Sequence, residues 1–343
     1  MAIKSLPVQI KDRMSLQDMI PLDTPLSILV SPTDYCDIKC VFCPFHGSTA
    51  DTSRKKMKMS LDLFENLVEQ MVEFPRRIKT LIFAGRGEPT LHQDLPQMIR
   101  SAKKTVDSIR LTTNGVNLSP ALNKRLIDAG LDYMKISVPA IDEQSAFDVT
   151  GVRIDIKQYV ENIRNLYKNK KSSMTIYCKA ANVALGGNGG EPDPACAERF
   201  YSMFNEVCDY SFIEKIAPIK SNPTEETLQK MGIEKFDSEN IYGLSGGETS
   251  TPICERLFYH LTIMTNGDVF PCDINADDSL CLGNLNNTSL RDIWNSDKLK
   301  ELRLAFLKGN LPANCSNCGA ILYDYPNNLH KYTDVIYQRL ING

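Results

Sequence analysis

Residues 27–43, SILVSPTDYCDIKCVFC, join a short apolar run to three closely spaced cysteines. The apolar run is followed by Ser31 and Pro32, a pattern that is typical of a buried β-strand and its end. The cysteines follow directly after this predicted strand. Because ligands collect at the carboxyl ends of strands in parallel sheets, the segment predicts a ligand site that begins at the first strand.

Similar β-rich runs recur along the chain and alternate with longer amphipathic segments. Predicted strands cover residues 27–34, 79–85, 108–114, 133–139, 173–180 and 210–218. Predicted helices cover residues 61–72, 95–106, 120–129, 143–149, 156–167 and 194–207, and several of them are opened by Ser, Asp or Pro. This alternation predicts an α/β fold with a partial (β/α)6 TIM-like barrel.

The C-terminal part has a different pattern, because periodicity weakens over residues 220–247, near the loop GLSGGE at 243–248. Beyond it, residues 261–264 and 268–271 flank Asn266-Gly267, a strong signal for a β-hairpin, and helices are predicted near 290–296 and 299–307. We expect an N-terminal extension at 1–24, the barrel at 25–220, a linker at 221–250, a small β-hairpin-plus-helix domain at 251–330 and a C-terminal tail at 331–343.

The composition is that of an ordinary globular protein, with 343 residues, 42% hydrophobic and 24% charged. A net charge of −3 without a basic block argues against a nucleic-acid partner. No apolar run approaches the roughly 20 residues of a membrane helix, and the N-terminus does not read as a signal peptide. We therefore expect a cytoplasmic protein, in which clustered thiols bind metal or do chemistry rather than form disulfides.

Cys36, Cys40 and Cys43 can hold three corners of a cubane iron–sulfur cluster, which leaves one iron without a protein ligand. Clusters devoted to electron transfer usually have four cysteines, so an open iron is a place where a substrate can bind. The alternative is a structural zinc site with His46 as the fourth ligand.

Further cysteines lie in the C-terminal part, namely Cys254, Cys272 and the pair Cys315-x2-Cys318. Four thiolates would satisfy all four irons of a second cubane. A zinc ribbon is the competing interpretation, although a ribbon usually has two C-x2-C pairs and this region has one. Cys281 is left over.

Glycines and polar residues follow the other predicted strands. In the loop Gly85-Arg86-Gly87-Glu88-Pro89 the glycines let the backbone approach a ligand, and Glu88 can accept hydrogen bonds from an ammonium group. Asn114, Ser137 and Lys179 lie at or near the ends of the next three strands. The alternatives need no ligand: the glycine loop and Asn114 would form ordinary turns, Ser137 would be an ordinary serine at a strand end, and Lys179 would be an exposed lysine. Because strand ends converge in this architecture, we expect these residues to face one ligand.

The C-x3-C-x2-C spacing, with Phe42 before the last cysteine, resembles that of the radical S-adenosylmethionine (SAM) superfamily. The resemblance implies a [4Fe–4S] cluster whose open iron chelates the amino and carboxylate groups of SAM. An electron from the cluster then breaks the sulfonium bond and gives methionine and a 5′-deoxyadenosyl radical. By the same resemblance, the loop with Gly85, Gly87 and Glu88 binds the methionyl amino group.

The resemblance implies further contacts with SAM. Asn114 belongs to a segment similar to the family's T-N-G, and Ser137 stands where a polar residue usually faces the ribose or the carboxylate. Lys179 is a candidate partner of the SAM carboxylate. The resemblance also implies that Phe42 is a cofactor-binding residue. The chain departs from the family pattern at Pro139, where relatives often carry aspartate.

The C-terminal cysteines resemble those of the twitch domain, the shortened form of the SPASM domain, which holds one auxiliary [4Fe–4S] cluster. A full SPASM domain needs further cysteines just after the C-x2-C pair, and residues 320–328 contain none. We therefore expect one auxiliary cluster, held by Cys254, Cys272, Cys315 and Cys318. This layout is most similar to that of 2-deoxy-scyllo-inosamine dehydrogenase.

The resemblance implies abstraction of hydrogen from an unactivated carbon. We expect dehydrogenation or epimerisation of a sugar, nucleotide sugar or aminocyclitol, with flavodoxin or ferredoxin as the electron donor. Cys281 is a hydrogen-atom donor to the substrate radical, a substitute ligand or an inert buried thiol.

Two alternatives remain for the function. A ribosomal-peptide maturase commonly adds an N-terminal recognition module, for which the 26 residues before the predicted first strand leave little room. A non-catalytic iron–sulfur or zinc scaffold would make Glu88 and Asn114 dispensable.

Overall fold

The computed structural model describes residues 14–47, 55–186, 191–214, 253–273, 278–313, 315, 318 and 329–342. The predicted linker at 221–250 and the sixth predicted strand beyond residue 214 lie outside these ranges. The predicted fold class is confirmed, because a parallel sheet covered by helices is followed by a small C-terminal unit.

The strands of the described residues form a single sheet. They are β1 (Ser27–Val30), β2 (Ile78–Phe83), β3 (Val106–Thr113), β4 (Tyr133–Val138), β5 (Thr175–Ala181), β6 (Tyr210–Glu214), β7 (His260–Ile263), β8 (Asp268–Phe270) and β9 (Gly283–Asn284). Their order across the sheet is β6-β5-β4-β3-β2-β1-β7-β8-β9. All pairs from β6 through β1 to β7 are parallel, whereas β8 pairs antiparallel with both of its neighbours.

The helices are α1 (Leu16–Met19), α2 (Leu61–Val72), α3 (Leu95–Ala102), α4 (Pro120–Ala129), α5 (Glu143–Thr150), α6 (Ile156–Asn169), α7 (Pro194–Phe204), α8 (Arg256–Tyr259), α9 (Leu290–Trp294), α10 (Asp297–Leu307) and α11 (Thr333–Asn342). The prediction for α3 ran too far, because residue 106 already begins β3. Among the described helices, none has the length and apolar composition that a membrane crossing demands.

Local signals explain where the helices begin and end. Ser60, Ser119 and Asp142 are N-caps whose side chains accept a hydrogen bond from a backbone amide of the first turn. Gly130 ends α4 with a φ of +94°, a left-handed conformation that favours glycine. Signals of this kind can be read from the sequence, and α2 and α4 have the predicted bounds.

The parallel strands have a helix-covered side and a concave side, and side chains alternate between the two. In β4, Met134, Ile136 and Val138 are buried in the main hydrophobic cluster under the helices. Lys135 and Ser137 point to the concave side and are only half-buried. The concave side of β4 is therefore polar, unlike its helix-covered side.

The C-terminal strands extend the same sheet. β7 lies parallel to β1, with His260 opposite Ser27. The predicted hairpin is confirmed, since β7 and β8 are antiparallel and Gly267 in the turn between them has a φ of +88°. The small C-terminal unit thus shares its sheet with the barrel, and its predicted start at residue 251 stays a prediction.

The two ends of the described chain pack together. Members of α1, α8, α10 and α11 and their flanking residues form a second hydrophobic cluster, which contains Leu16, Ile20, Leu257, Phe258, Phe306, Leu307, Leu329, Ile336 and Leu340. The Arg339 guanidinium donates to the Gln17 backbone oxygen at 2.8 Å. The predicted extension and tail contain α1 and α11, which sequence analysis missed because such short helices depend on tertiary packing.

Candidate functional site

The cysteine loop follows β1 and is anchored to the end of α5. The amides of Lys39 and Val41 donate to the backbone oxygens of Thr150 and Val149 at 2.8 and 2.9 Å. Within the loop, the Cys43 amide donates to the Cys40 oxygen at 2.9 Å, and Phe42 is half-buried in this turn. These bonds fix the position of the loop at the carboxyl end of β1.

The loop after β2 packs tightly on the segment that leads into the cysteine loop. A Cβ atom added to Gly87 would lie 2.3 Å from the Thr33 oxygen and 2.4 Å from the Tyr35 oxygen. Gly85 has a φ of +115°, and an added Cβ would lie 2.6 Å from the Ser31 Oγ. Neither position accepts a side chain, so the glycines allow the two loops to meet.

The Glu88 carboxylate is buried and joins the loops after β2 and β3. Its Oε1 accepts from the Thr90 amide at 3.0 Å, the Thr90 hydroxyl at 2.6 Å and the Thr113 hydroxyl at 2.7 Å. Its Oε2 accepts from the Asn114 amide at 2.7 Å. Burial raises the pKa of this carboxyl group, and the four donors oppose the rise. These donors occupy the carboxylate, so the predicted contact of Glu88 with an ammonium group would have to compete with them.

Asn114 connects the loop after β3 to the cysteine loop. Its Nδ2 donates to the Asp37 Oδ1 at 2.6 Å and lies 3.9 Å from the Cys36 Sγ. Its backbone oxygen accepts from the buried Tyr159 hydroxyl at 2.9 Å. The loops after the first three strands are thus joined by a continuous chain of hydrogen bonds.

The thiols of the cysteine loop influence each other's ionisation. Burial, the largest cause, raises the pKa of the Cys36 thiol to about 12. Burial and then the neighbouring Cys43 and Cys36 raise the pKa of Cys40 to about 12. Closely spaced, partly buried thiolates are unfavourable unless a cation compensates their charge, and a coordinated metal does so. The donor set therefore fits an iron–sulfur cluster.

A single zinc ion fits this loop less well. Zinc would hold its sulfur ligands about 3.8 Å apart around one point. In the ranges that the structure describes, no three His, Cys, Asp or Glu side chains form such a group. In a cubane, by contrast, each cysteine binds a different iron. The His46 Nε2 lies 2.9 Å from the Arg86 backbone oxygen, and its Nδ1 lies 3.4 Å from the Lys56 Nζ, so both ring nitrogens contact groups other than the three cysteines.

Ser137 and Lys179 lie opposite each other in the register of β4 and β5. The Lys179 ammonium group forms an ion pair with Glu214 at the end of β6. Their side chains are 20% and 9% exposed, so the pair is largely shielded from solvent. The predicted pairing of Lys179 with the SAM carboxylate stays a prediction, and it would have to compete with Glu214.

The C-terminal cysteines are half-buried. Cys254 and Cys315 pack against the second hydrophobic cluster. Cys315 and Cys281 both contact a small cluster of Met264, Phe270 and Leu280, and the Cys281 Sγ lies 3.4 Å from the Gly283 oxygen. The leftover Cys281 therefore lies in the same neighbourhood as Cys315, one of the predicted ligands.

Several side chains of this site were not predicted from the sequence. Asp37 and Tyr159 hold Asn114 from two sides, and their long-range bonds to it leave no local signal in the sequence. Lys135 does have a local signal in the sequence, because it stands between the apolar residues Met134 and Ile136 of β4. An ionisable residue at an inward-facing strand position can be recognised from the period of two.

Two family descriptions match the chain. Residues 30–179 match the radical SAM superfamily, and residues 254–319 match the SPASM iron–sulfur cluster-binding domain. The first match contains the cysteine loop and most of the barrel. The second contains every cysteine of the C-terminal set.

Several curated proteins are similar to this chain. The probable GTP 3′,8-cyclase of Metallosphaera sedula is 36% identical over 124 residues, which are 36% of this chain and 37% of that protein. The chain thus matches well under two thirds of that cyclase. The tungsten-containing aldehyde ferredoxin oxidoreductase cofactor-modifying protein of Pyrococcus furiosus is 30% identical over 312 residues, 83% of this chain and 85% of that protein. The PqqA peptide cyclase of Xanthomonas campestris pv. campestris is 23% identical, over 88% of this chain and 81% of that protein.

Solved structures share the fold. BtrN in complex with AdoMet and 2-DOIA has a TM-score of 0.53 at 15% identity, over 85% of this chain and 92% of that chain. The enzyme anSMEcpe with bound AdoMet has a TM-score of 0.57 at 17% identity, over 93% and 98% of the two chains. Because the Pyrococcus furiosus relative aligns over most of both proteins and both family descriptions match, this chain belongs to the radical SAM superfamily and carries a C-terminal SPASM iron–sulfur domain.

Proposed function

We propose that this radical SAM enzyme abstracts a hydrogen atom from a carbon of a carbohydrate-like small molecule and then oxidises or epimerises that carbon. The substrate class comprises sugars, nucleotide sugars and aminocyclitols. The observation that carries the proposal is the polar concave side of β3 to β6, where Thr112, Ser137 and Glu214 occupy inward positions near the strand ends. A hydroxyl-rich substrate requires such hydrogen-bonding groups, since its polar atoms are costly to bury unpaired.

Family membership implies a [4Fe–4S] cluster, an iron–sulfur group in the SPASM domain, and SAM. The bound cluster and SAM supply a 5′-deoxyadenosyl radical. Cys36, Cys40 and Cys43 would hold this cluster. Glu88 keeps the surrounding loops in place through its hydrogen bonds, and Asn114 ties them to the cysteine loop. Positioning of this kind is what hydrogen abstraction demands of a protein.

The comparisons support the carbohydrate class without deciding it. BtrN, which shares the fold, was solved with 2-DOIA. The Metallosphaera sedula relative is named for a reaction of GTP, a nucleotide that contains a sugar. The outcome at the substrate carbon, oxidation or epimerisation, depends on whether the SPASM iron–sulfur group or Cys281 acts on it.

A peptide substrate is the second candidate. The observation that favours it is the similarity to a PqqA peptide cyclase along 88% of this chain. Peptide and carbohydrate substrates differ in which molecule loses hydrogen, so isotope transfer distinguishes them.

The initiating reaction is tested with the full chain, reconstituted anaerobically with iron and sulfide and supplied with dithionite and SAM. We expect the wild type to release 5′-deoxyadenosine and methionine, as measured by mass spectrometry. Cys40→Ala should reduce this release to background, because it removes one of three cluster ligands. Cys196→Ala is the matched control, since Cys196 is a half-buried cysteine of α7 outside both cysteine sets.

Equal release by Cys40→Ala and the wild type would refute the assignment of the cysteine loop. The substrate class is tested by incubating the wild type with deuterated sugars, nucleotide sugars, aminocyclitols and peptides. Deuterium should appear in 5′-deoxyadenosine with a member of the carbohydrate class. Transfer from a peptide alone would replace the carbohydrate proposal by the second candidate.

A further inference from the structure

A diagonal row of charged side chains crosses the concave side of the sheet, and we call it the cationic row. Its members lie on four successive strands and are Arg110, Lys135, Lys179 and Glu214. From each strand to the next, the row advances by two residues. Lys135, for example, lies opposite Tyr177 of β5, and the next member, Lys179, follows Tyr177 by two residues. Neighbouring strands lie about 4.8 Å apart and two residues rise about 6.6 Å, so these diagonal neighbours are about 8 Å apart, within the reach of long side chains.

The charges of the row do not balance. Lys179 is neutralised by its ion pair with Glu214. The Arg110 guanidinium lies over the Tyr133 ring, 5.4 Å from its centroid. Lys135 is half-buried, and among the described residues no hydrogen-bond acceptor or ion-pair partner is found for it. In the part of the chain that the structure describes, Arg110 and Lys135 therefore have no carboxylate within ion-pair distance.

The electrostatic strain is concentrated on Lys135. The pKa of Lys135 is lowered to about 8, mainly by the charge of Lys179 and then by burial. Arg256 and Arg110 lower this pKa further, whereas Glu214 raises it. Arg256 lies beyond the row and is itself paired with Asp273 at 2.8 Å. A half-buried ammonium group next to other cations is unfavourable unless an anion joins it. Beside the Lys179–Glu214 ion pair, the row therefore favours an anionic ligand at Lys135 and Arg110.

We propose that the cationic row binds a phosphate group of the substrate, so that the substrate is a phosphorylated sugar or a nucleotide. This inference rests on the proposed function and narrows its substrate class. A phosphate monoester carries about −1.5 to −2 charges near neutral pH, which matches two uncompensated cations better than a carboxylate does. Lys135 and Arg110 are the direct binding residues, and Glu214 holds Lys179 beside them.

The row is well placed for such a substrate. Lys135 and Ser137 lie on the same side of β4, two residues apart, which is about 7 Å along a strand. Ser137 is expected to face SAM, and Lys135 stands one step deeper in the barrel. A phosphate on Lys135 therefore leaves the sugar pointing toward the end of the sheet where the radical forms.

The proposal is tested by isothermal titration calorimetry of the reconstituted full chain with ribose 5-phosphate, and with ribose as the matched probe that lacks the phosphate. We expect ribose 5-phosphate to bind at least tenfold more tightly than ribose. Lys135→Met should remove most of this difference, and Lys135→Arg should retain it. Lys168→Met, on the outer face of α6, is the matched control and should leave the affinity unchanged.

Two further readouts separate a binding role from a structural one. Glu214→Gln should tighten ribose 5-phosphate binding, because it frees Lys179, whereas mere disruption of the row would weaken it. Above about pH 8 the wild-type affinity should fall as Lys135 loses its proton, and Lys135→Arg should not show this fall. Circular dichroism of each variant checks that it is folded.

The outcomes separate this inference from the proposed function. Equal affinities for ribose and ribose 5-phosphate, or an unchanged affinity in folded Lys135→Met, would overturn the phosphate site. If Lys135→Met weakens SAM binding and leaves ribose 5-phosphate binding unchanged, the row binds the SAM carboxylate and the proposal is wrong. If phosphate binding depends on Lys135 but the wild type releases no 5′-deoxyadenosine, the phosphate site stands and the proposed function fails.

Discussion

Among single residues, Glu88 shows how a buried carboxyl group organises the site through hydrogen bonds. It accepts hydrogen bonds from two loops, through hydroxyl groups and through the Asn114 amide. Glu88→Gln would place an amide NH2 group against these donors and leave at least one of them unsatisfied. An unsatisfied buried donor costs about 1–3 kcal/mol, so the free energy of unfolding should fall by about that amount.

The same change should weaken SAM binding, because the loop with Gly85 and Gly87 would be tied less firmly to the loop after β3, which Asn114 connects to the cysteine loop. Chemical denaturation and SAM titration of the reconstituted protein measure the two effects. Glu69→Gln is the control, since Glu69 is an exposed residue of α2. Loss of stability with unchanged SAM affinity would show that Glu88 does not position the cofactor loop.

The sequence predicts the presence of this loop but not the partners of Glu88. Its glycines and its place after the second strand are local features, and they are enough to expect a ligand loop there. The bonds from Glu88 to Thr113 and Asn114 join residues 25 and 26 positions apart. These hydrogen bonds form only when two neighbouring strands bring their loops together, so no local sequence pattern predicts them.

Among the elements, β7 depends on an uncharged histidine at its junction with β1. His260 is buried, with its Nδ1 2.8 Å from the Ser27 Oγ and its Nε2 3.1 Å from the Thr262 Oγ1. Burial, with a smaller contribution from Arg256, lowers the pKa of His260 from 6.5 to about 4. The folded protein therefore keeps His260 neutral at a pH where the unfolded chain protonates it.

This shift predicts acid sensitivity. Since the unfolded chain binds more protons below pH 6.5, stability falls as the pH decreases from 6.5 toward 4. Between pH 7.5 and pH 5 the loss from His260 alone should be about 2 kcal/mol. His260→Asn, which retains an acceptor near Ser27, should show a correspondingly smaller loss in urea denaturation at the two pH values. Equal losses in the wild type and the variant would contradict the assignment.

The hairpin of β7 and β8 follows from Asn266-Gly267, but the pairing of β7 with β1 does not follow from any local pattern. Ser27 and His260 are 233 positions apart, and the intervening chain gives no periodic signal for their contact. The sequence therefore predicts the hairpin, and it predicts that the hairpin belongs to a small separate unit. The pairing of β7 with β1 makes the sheet continuous, and this pairing depends on contacts between distant parts of the chain.

In the whole molecule, the second hydrophobic cluster joins both ends of the described chain to the predicted auxiliary ligands. Ile336 of α11 is fully buried in this cluster, and Cys254 and Cys315 pack against the same cluster. The neighbouring Val335 is 49% exposed. The cluster therefore acts as a clamp on two cysteines that lie 61 positions apart in the sequence.

Weakening this clamp should loosen the auxiliary site. Ile336→Ala should cost about 2–4 kcal/mol of stability, because it leaves a cavity in the cluster, whereas Val335→Ala should have little effect. The Ile336→Ala and Val335→Ala changes are best compared in the Cys36→Ala/Cys40→Ala/Cys43→Ala background, in which iron is left only at the C-terminal cysteines.

With one auxiliary cubane, that background should retain about four irons per chain. Iron analysis after dilution into a chelator should then show faster loss from Ile336→Ala than from Val335→Ala. The same rate for both would mean that the terminal cluster does not support the auxiliary site, and iron-free protein in the background itself would mean that no auxiliary cluster is held.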